Sequence, residues 1–100
     1  MFKYNLSKKA INDLKNIWNY TYEKWSEDQA DKYYRMLIDS FNEILKSPQS
    51  GKRYPIIFEE LKGYKAGRHI IFYFEKPEGI IEIVRILHEQ MDLKNRMKEK

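Results

Sequence analysis

The sequence predicts an α+β fold: a short N-terminal strand, a pair of helices, then a run of strands. Three observations carry this. Apolar residues recur at helical spacing from residue 7 to residue 46, the pattern changes to alternation after Gly63, and turn-forming residues cluster between the two regions. The 100 residues are 42% hydrophobic and 15% aromatic, enough for one core and against intrinsic disorder, so one domain spanning 1–100 is expected.

Residues 2–6 are partly apolar and precede Ser7, a plausible N-cap, so they are read as a strand feeding a helix. From Ser7 to about Lys24, Ile11, Leu14, Trp18, Thr21 and Trp25 form one apolar stripe, which assigns Trp18 and Trp25 to the core. Ser26-Glu27-Asp28-Gln29 has the form of a capping box, with acidic side chains where the helix dipole is positive. The second helix carries Ala30, Tyr34, Leu37, Phe41 and Ile44 on one stripe, with Tyr33 and Leu45 beside it. It should stop near Ser47-Pro48, because proline drives its predecessor out of the helical region. So short a connection makes the two helices antiparallel.

Residues 47–63 read as a loop, with a short extended piece at 56–58. Strands are expected at 64–67, 68–75 and 80–88, the last two joined by the Lys76-Pro77-Glu78-Gly79 turn. In the strand 68–75, Ile70, Phe72 and Phe74 share one face, Ile71 and Tyr73 the other. Alternation in the last strand puts Ile80, Val84 and Ile86 on one face and Ile81, Ile83 and Leu87 on the other. The tail 89–100 is charged and suits a short helix through Met91, Leu93 and Met97. Two helices cover only one face of a sheet, so the second apolar face is covered either by the loop and tail or by a partner.

Formal net charge is +4, with an excess of one positive charge in residues 1–50 and three in residues 51–100. That favours acidic partners weakly and lacks the dense basic stripe of a dedicated DNA binder, so sequence-specific nucleic-acid binding is not expected. Without cysteine there is no disulfide, thiolate metal site or thiol nucleophile. No apolar run reaches membrane-spanning length and the start lacks a signal-peptide core, so a cytoplasmic protein without membrane contact is expected. No histidine completes a metal site beside the helical carboxylates Glu23/Glu27 and Asp28/Asp31, and no glycine-rich phosphate loop is present. Neither metal nor cofactor is expected.

Four strings carry a resemblance: IWNYTYEKWSEDQADKYY at 17–34, SPQSGKRYP at 47–55, GYKAGRHIIFYFE at 63–75 and IEIVRILHEQMD at 81–92. In this order they resemble ParE-type toxins of the RelE/ParE superfamily, from bacterial type II toxin–antitoxin systems, over about residues 3–95. The resemblance implies a β-α-α-β-β-β layout with an antiparallel sheet packed on the N-terminal helical hairpin. It implies neutralisation by a cognate antitoxin of ribbon-helix-helix type and DNA gyrase as target, with no catalysis by the chain. The antitoxin of such a pair wraps its toxin with a helix in a groove and a strand on a sheet edge. Candidate antitoxin contacts are Tyr22, Tyr33, Ile80 and Leu87.

The alternative is a RelE-like, ribosome-dependent messenger-RNA endonuclease. Such enzymes typically carry an arginine in the strand corresponding to 68–75, and Arg/Lys plus tyrosine after the last strand. Aligned on Tyr73, the arginine position falls on Ile70, and residues 87–93 contain no tyrosine and no basic cluster. Arg68, His69 and His88 stand as possible replacements. As target-binding residues, Arg68, His88, Lys94 and Arg96 are the candidates, because antiparallel neighbours bring Arg68 and His88 to one edge beside the basic tail. Against this, His88 suits a strand cap, and Arg68 and Arg85 suit ion pairing with Glu82 or Asp92.

Overall fold

The structure, a computed structural model, describes residues 3–91 and 93–97. Strand β1, Lys3–Leu6, leads into helix α1, Lys8–Lys24, where the Ser7 hydroxyl accepts a hydrogen bond from the Ala10 N–H at 3.0 Å. Helix α2, Glu27–Lys46, opens on the same device, the Ser26 hydroxyl accepting from the Gln29 N–H at 3.1 Å with Glu27 and Asp28 in the first turn. Both capping assignments hold. Pro48–Ser50 forms one 3-10 turn after α2, followed by β2, Lys52–Arg53. Strands β3, Lys62–Ala66, β4, His69–Lys76, and β5, Ile80–His88, complete the sheet, and α3, Leu93–Met97, closes the described chain. The expected extended piece at 56–58 is a turn. The expected strand residue Phe2 lies outside the described residues.

The sheet has the order β1-β5-β4-β3-β2. Strands β2 to β5 are antiparallel neighbours, as the resemblance implied, whereas β1 lies parallel to β5, Lys3 opposite Ile80 through Leu6 opposite Ile83. The whole helical hairpin intervenes after β1, so no tight turn forces it antiparallel to its neighbour. Between β4 and β5 the register slips: Phe72 faces Arg85 and Tyr73 faces Ile83, leaving Val84 as the extra residue of a bulge. The bulge corrects the alternation expected for β5. Ile81, Ile83 and Ile86 pack with the helices, while Val84 and Leu87 turn to the opposite face.

The main core holds Leu37, Phe41 and Ile44 of α2 against Ile71, Tyr73, Ile81 and Ile83 of the sheet, all fully buried or nearly so. Helix α1 contributes Ala10, Leu14 and Ile17. The core stripe of α1 is therefore rotated from the expected one. Trp18 is half-buried, while Ile11 is 44% and Trp25 75% exposed, and on α2 Tyr34 is exposed too. The reason is Asp13, which is buried on the inward side. Its carboxylate accepts from Arg85 Nε at 2.9 Å, Arg85 Nη2 at 3.1 Å and the Ile86 N–H at 2.9 Å. The last bond satisfies a backbone donor of β5 just past the bulge, beyond the end of its pairing with β1. This clamp draws α1 close to β5, where small Ala10 fits and an indole does not. Arg85 thus pairs with Asp13 rather than Glu82; Asp92 is outside the described residues.

A second cluster, Leu61, Ile70, Phe72 and Leu87, fills the other face of the sheet. Tyr54 and Ile57 from residues 54–61 and Leu93 and Met97 from α3 pack onto it. Of the two coverings open to the sequence, loop and tail supply this one.

Candidate functional site

The β3–β4 turn, Gly67-Arg68, and the end of β5 meet at one end of the sheet, facing the first half of α2. Gly67 has a φ of +59°, and a side chain there would press on the Tyr33 hydroxyl. That hydroxyl accepts from the Arg68 N–H at 3.0 Å and lies 2.6 Å from His69 Nδ1. His69 stands opposite His88 in register, their rings edge to face with centroids 5.3 Å apart. The Glu89 N–H bonds the Arg68 carbonyl at 2.9 Å, and His88 Nδ1 accepts from the Gln90 N–H at 3.1 Å. Lys65 pairs with Glu89 at 3.0 Å.

The electrostatics of this corner follow from its packing. Burial, helped by neighbouring His88, pushes the His69 pKa down to about 4, so the ring is neutral at neutral pH. With Arg68 donating to the Tyr33 oxygen, the arrangement assigns the Tyr33 proton to the bond with His69 Nδ1. Burial also raises the Tyr33 pKa, which keeps that proton in place. The Lys65 hydrogen bond lowers the Glu89 pKa. The corner is a neutral Tyr–His lock behind an exposed arginine. It presents charge to a partner more readily than it moves protons.

Among the sequence-predicted residues, Arg68 and His88 do come together here. Lys94 and Arg96 lie on α3, where the Arg96 carbonyl accepts from Arg85 Nη1 at 2.9 Å, so Arg96 is tied to the Asp13–Arg85 clamp. Tyr22 is 50% exposed and stacks on Trp18, whose Nε1–H donates to Asp31 at 3.1 Å. Ile80 begins β5, opposite Lys3 and Lys76, at the far end of the sheet from His88. Two candidates for antitoxin contact are less accessible than the others. Tyr33 is half-buried with its hydroxyl committed to Arg68 and His69. Leu87 is only 2% exposed, because the bulge turns it beneath residues of the loop and α3.

Sequence reasoning missed the outward stripe of α1. Ile11, Trp18, Tyr22 and Trp25 lie within one narrow sector of the helix at spacings of seven, four and three. The signal is present, since these are strongly apolar residues: Tyr22 is expected as an exposed contact, and only Ile11, Trp18 and Trp25 are assigned to the core stripe. Among the described residues, no group of three or more His, Cys, Asp or Glu side chains is placed to hold a metal ion, and no helix is long and apolar enough to cross a membrane.

A family model described as the ParE toxin of the type II toxin–antitoxin system parDE matches residues 4–93. The chain belongs to the ParE toxin family. It is 36% identical over 91 residues to Toxin ParE1 of Mycobacterium tuberculosis, covering 91% of this chain and 93% of that one. To Toxin ParE1 of Caulobacter vibrioides it is 32% identical over 93 residues, covering 92% and 94%. A solved structure titled as the chromosomal ParDE system from P. aeruginosa superposes with a TM-score of 0.75 at 17% identity, over 88% of this chain and 96% of that one. That likeness is one of overall fold.

Proposed function

We propose that this ParE-family chain is a cytoplasmic toxin that acts stoichiometrically on DNA gyrase and is silenced by a cognate antitoxin of ribbon-helix-helix type. The observation that supports a binding role over ribonuclease chemistry is Ile70. It occupies the position where a RelE-like nuclease would carry its strand arginine, and it is buried in the second core cluster. His69, a possible replacement, is neutral and has its Nδ1 held by Tyr33, a geometry suited to structure.

Arg68, His88, Lys94 and Arg96 remain the proposed target surface, a set of exposed or half-exposed groups on the corner and α3. For the antitoxin, the outward stripe of α1 around Tyr22 is the better site, with Ile80 near the β1 edge as a second contact. An unpartnered apolar helix face of this length suits an amphipathic helix. Supercoiling by purified gyrase in the presence of the chain tests the reading. Inhibition or trapped cleavage complexes support it, whereas cut ribosome-bound message with untouched supercoiling overturns it.

A further inference from the structure

The two hairpin turns of the sheet are held in different ways. Residues Pro77–Gly79 join β4 to β5 with no side chain bonded to their backbone among the described residues. A hairpin in this sheet therefore needs no such tie. At Gly67-Arg68, between β3 and β4, both backbone polar groups of Arg68 are bonded by segments outside the turn. Its N–H donates to the Tyr33 hydroxyl at 3.0 Å, and its carbonyl accepts from the Glu89 N–H at 2.9 Å. Helix α2 holds one side of the residue, and the chain leaving β5 holds the other.

The Tyr33 hydroxyl is itself oriented. With its proton in the 2.6 Å bond to His69 Nδ1, a lone pair is left for the Arg68 N–H. Gly67 lets the turn come this close, since a Cβ there would lie 2.8 Å from the same oxygen. The Arg68 side chain is the opposite case. It is exposed, and its guanidinium makes no hydrogen bond or ion pair among the described residues. Glu89, the carboxylate that follows β5, is bonded to Lys65 at 3.0 Å instead. A fixed main chain beneath an uncommitted guanidinium suits recognition, because less freedom is lost when a partner binds.

We propose that Tyr33 is a positioning residue for Arg68, its hydroxyl fixing the turn from which Arg68 engages the target. This rests on the reading of Arg68 as part of the target surface and adds the group on α2 that sets its aim. Tyr33 acts through the Arg68 backbone and makes no contact with the target itself. Its half-buried place and its two committed hydrogen bonds suit that role.

The test is a double-mutant cycle in the inhibition of gyrase supercoiling by the full chain: wild type, Tyr33→Phe, Arg68→Ala and the double variant. Arg68→Ala should inhibit roughly tenfold more weakly, and Tyr33→Phe about threefold more weakly. In the Arg68→Ala background, Tyr33→Phe should weaken inhibition no further. Alanine at 68 keeps the N–H that Tyr33 holds, so a role confined to stability would act equally in both backgrounds. Thermal unfolding of the four chains should show that equal loss, while inhibition should not. Hydrogen exchange reads the bond directly: the Arg68 amide should exchange faster in Tyr33→Phe than in wild type. An equal loss of inhibition in both backgrounds overturns the proposal, and so does full potency of Tyr33→Phe. Full inhibition by Arg68→Ala, at an exposed position, also overturns it and decides the matter even where Tyr33→Phe does not fold. A wild-type chain that leaves supercoiling untouched overturns the target reading and this proposal together.

Discussion

Asp13 and Arg85, 72 positions apart in sequence, form a two-bond ion pair between α1 and β5, and the same carboxylate holds the Ile86 N–H. Removing Asp13 takes the carboxylate from a guanidinium whose side chain is only 13% exposed. Asp13→Ala is therefore expected to cost about 3–5 kcal/mol of stability. The double variant Asp13→Leu, Arg85→Met should regain part of this but not all, since Ile86 still lacks its acceptor, a loss of about 1–3 kcal/mol. Urea denaturation of these two variants against wild type measures both steps.

The pH dependence of stability should carry a contribution from His69. Its folded pKa of about 4 lies below the ordinary 6.5, so between those values the unfolded chain takes up a proton that the folded chain refuses. This contribution is fully present above pH 6.5 and is lost progressively as the pH falls toward 4. Thermal unfolding followed from pH 7 to pH 4 should show a steeper decline for wild type than for His69→Gln.

Gly67→Ala should destabilise the corner on two grounds. The position needs a positive φ, and a methyl group there meets the Tyr33 hydroxyl and Met36. A loss of about 1–3 kcal/mol is expected. In Tyr33→Phe, which removes the hydroxyl, the penalty of Gly67→Ala should shrink, and a double-mutant cycle reads the difference.

Phe41 and Trp25 should behave as opposites. Phe41 is fully buried against Tyr4 and the main core, and Phe41→Ala should cost about 3–5 kcal/mol. Trp25 is 75% exposed, and Trp25→Ser should change stability by less than about 0.5 kcal/mol. If the outward stripe of α1 is an antitoxin surface, the same substitution weakens antitoxin binding in a pull-down or titration. Unchanged binding would remove Trp25 from that surface.

The parts of this fold set by local chemistry were legible in the sequence. Ser7 and Ser26 announced both helix starts, Ser47-Pro48 the end of α2, and Lys76 to Gly79 the turn between β4 and β5. What escaped depends on distant partners. Asp13 reads as a surface residue until Arg85 and Ile86 are seen beside it. The bulge at Val84 is invisible because β5 is apolar on both faces, leaving no alternation to break. β2 is two residues long and exists only by pairing with Lys62 and Gly63. At the candidate site the meeting of Arg68 with His88 followed from strand direction, but the Tyr33–His69 bond joins residues 36 apart and has no local signature.

The parallel pairing of β1 with β5 bears on how the chain assembles during synthesis. Leu6 settles opposite Ile83, and the Ser7 hydroxyl donates to the Val84 carbonyl, a contact 77 residues apart. The helical hairpin can form as soon as it leaves the ribosome, because its contacts are local, whereas the first strand must wait for nearly the last. Closing so long a loop is slow relative to local structure. Until β5 emerges, the hairpin's inner face has no central strand to rest on, and the nascent chain stays short of a complete sheet. The edge strand β1 is thus the first part of the sheet to be made and among the last to be seated.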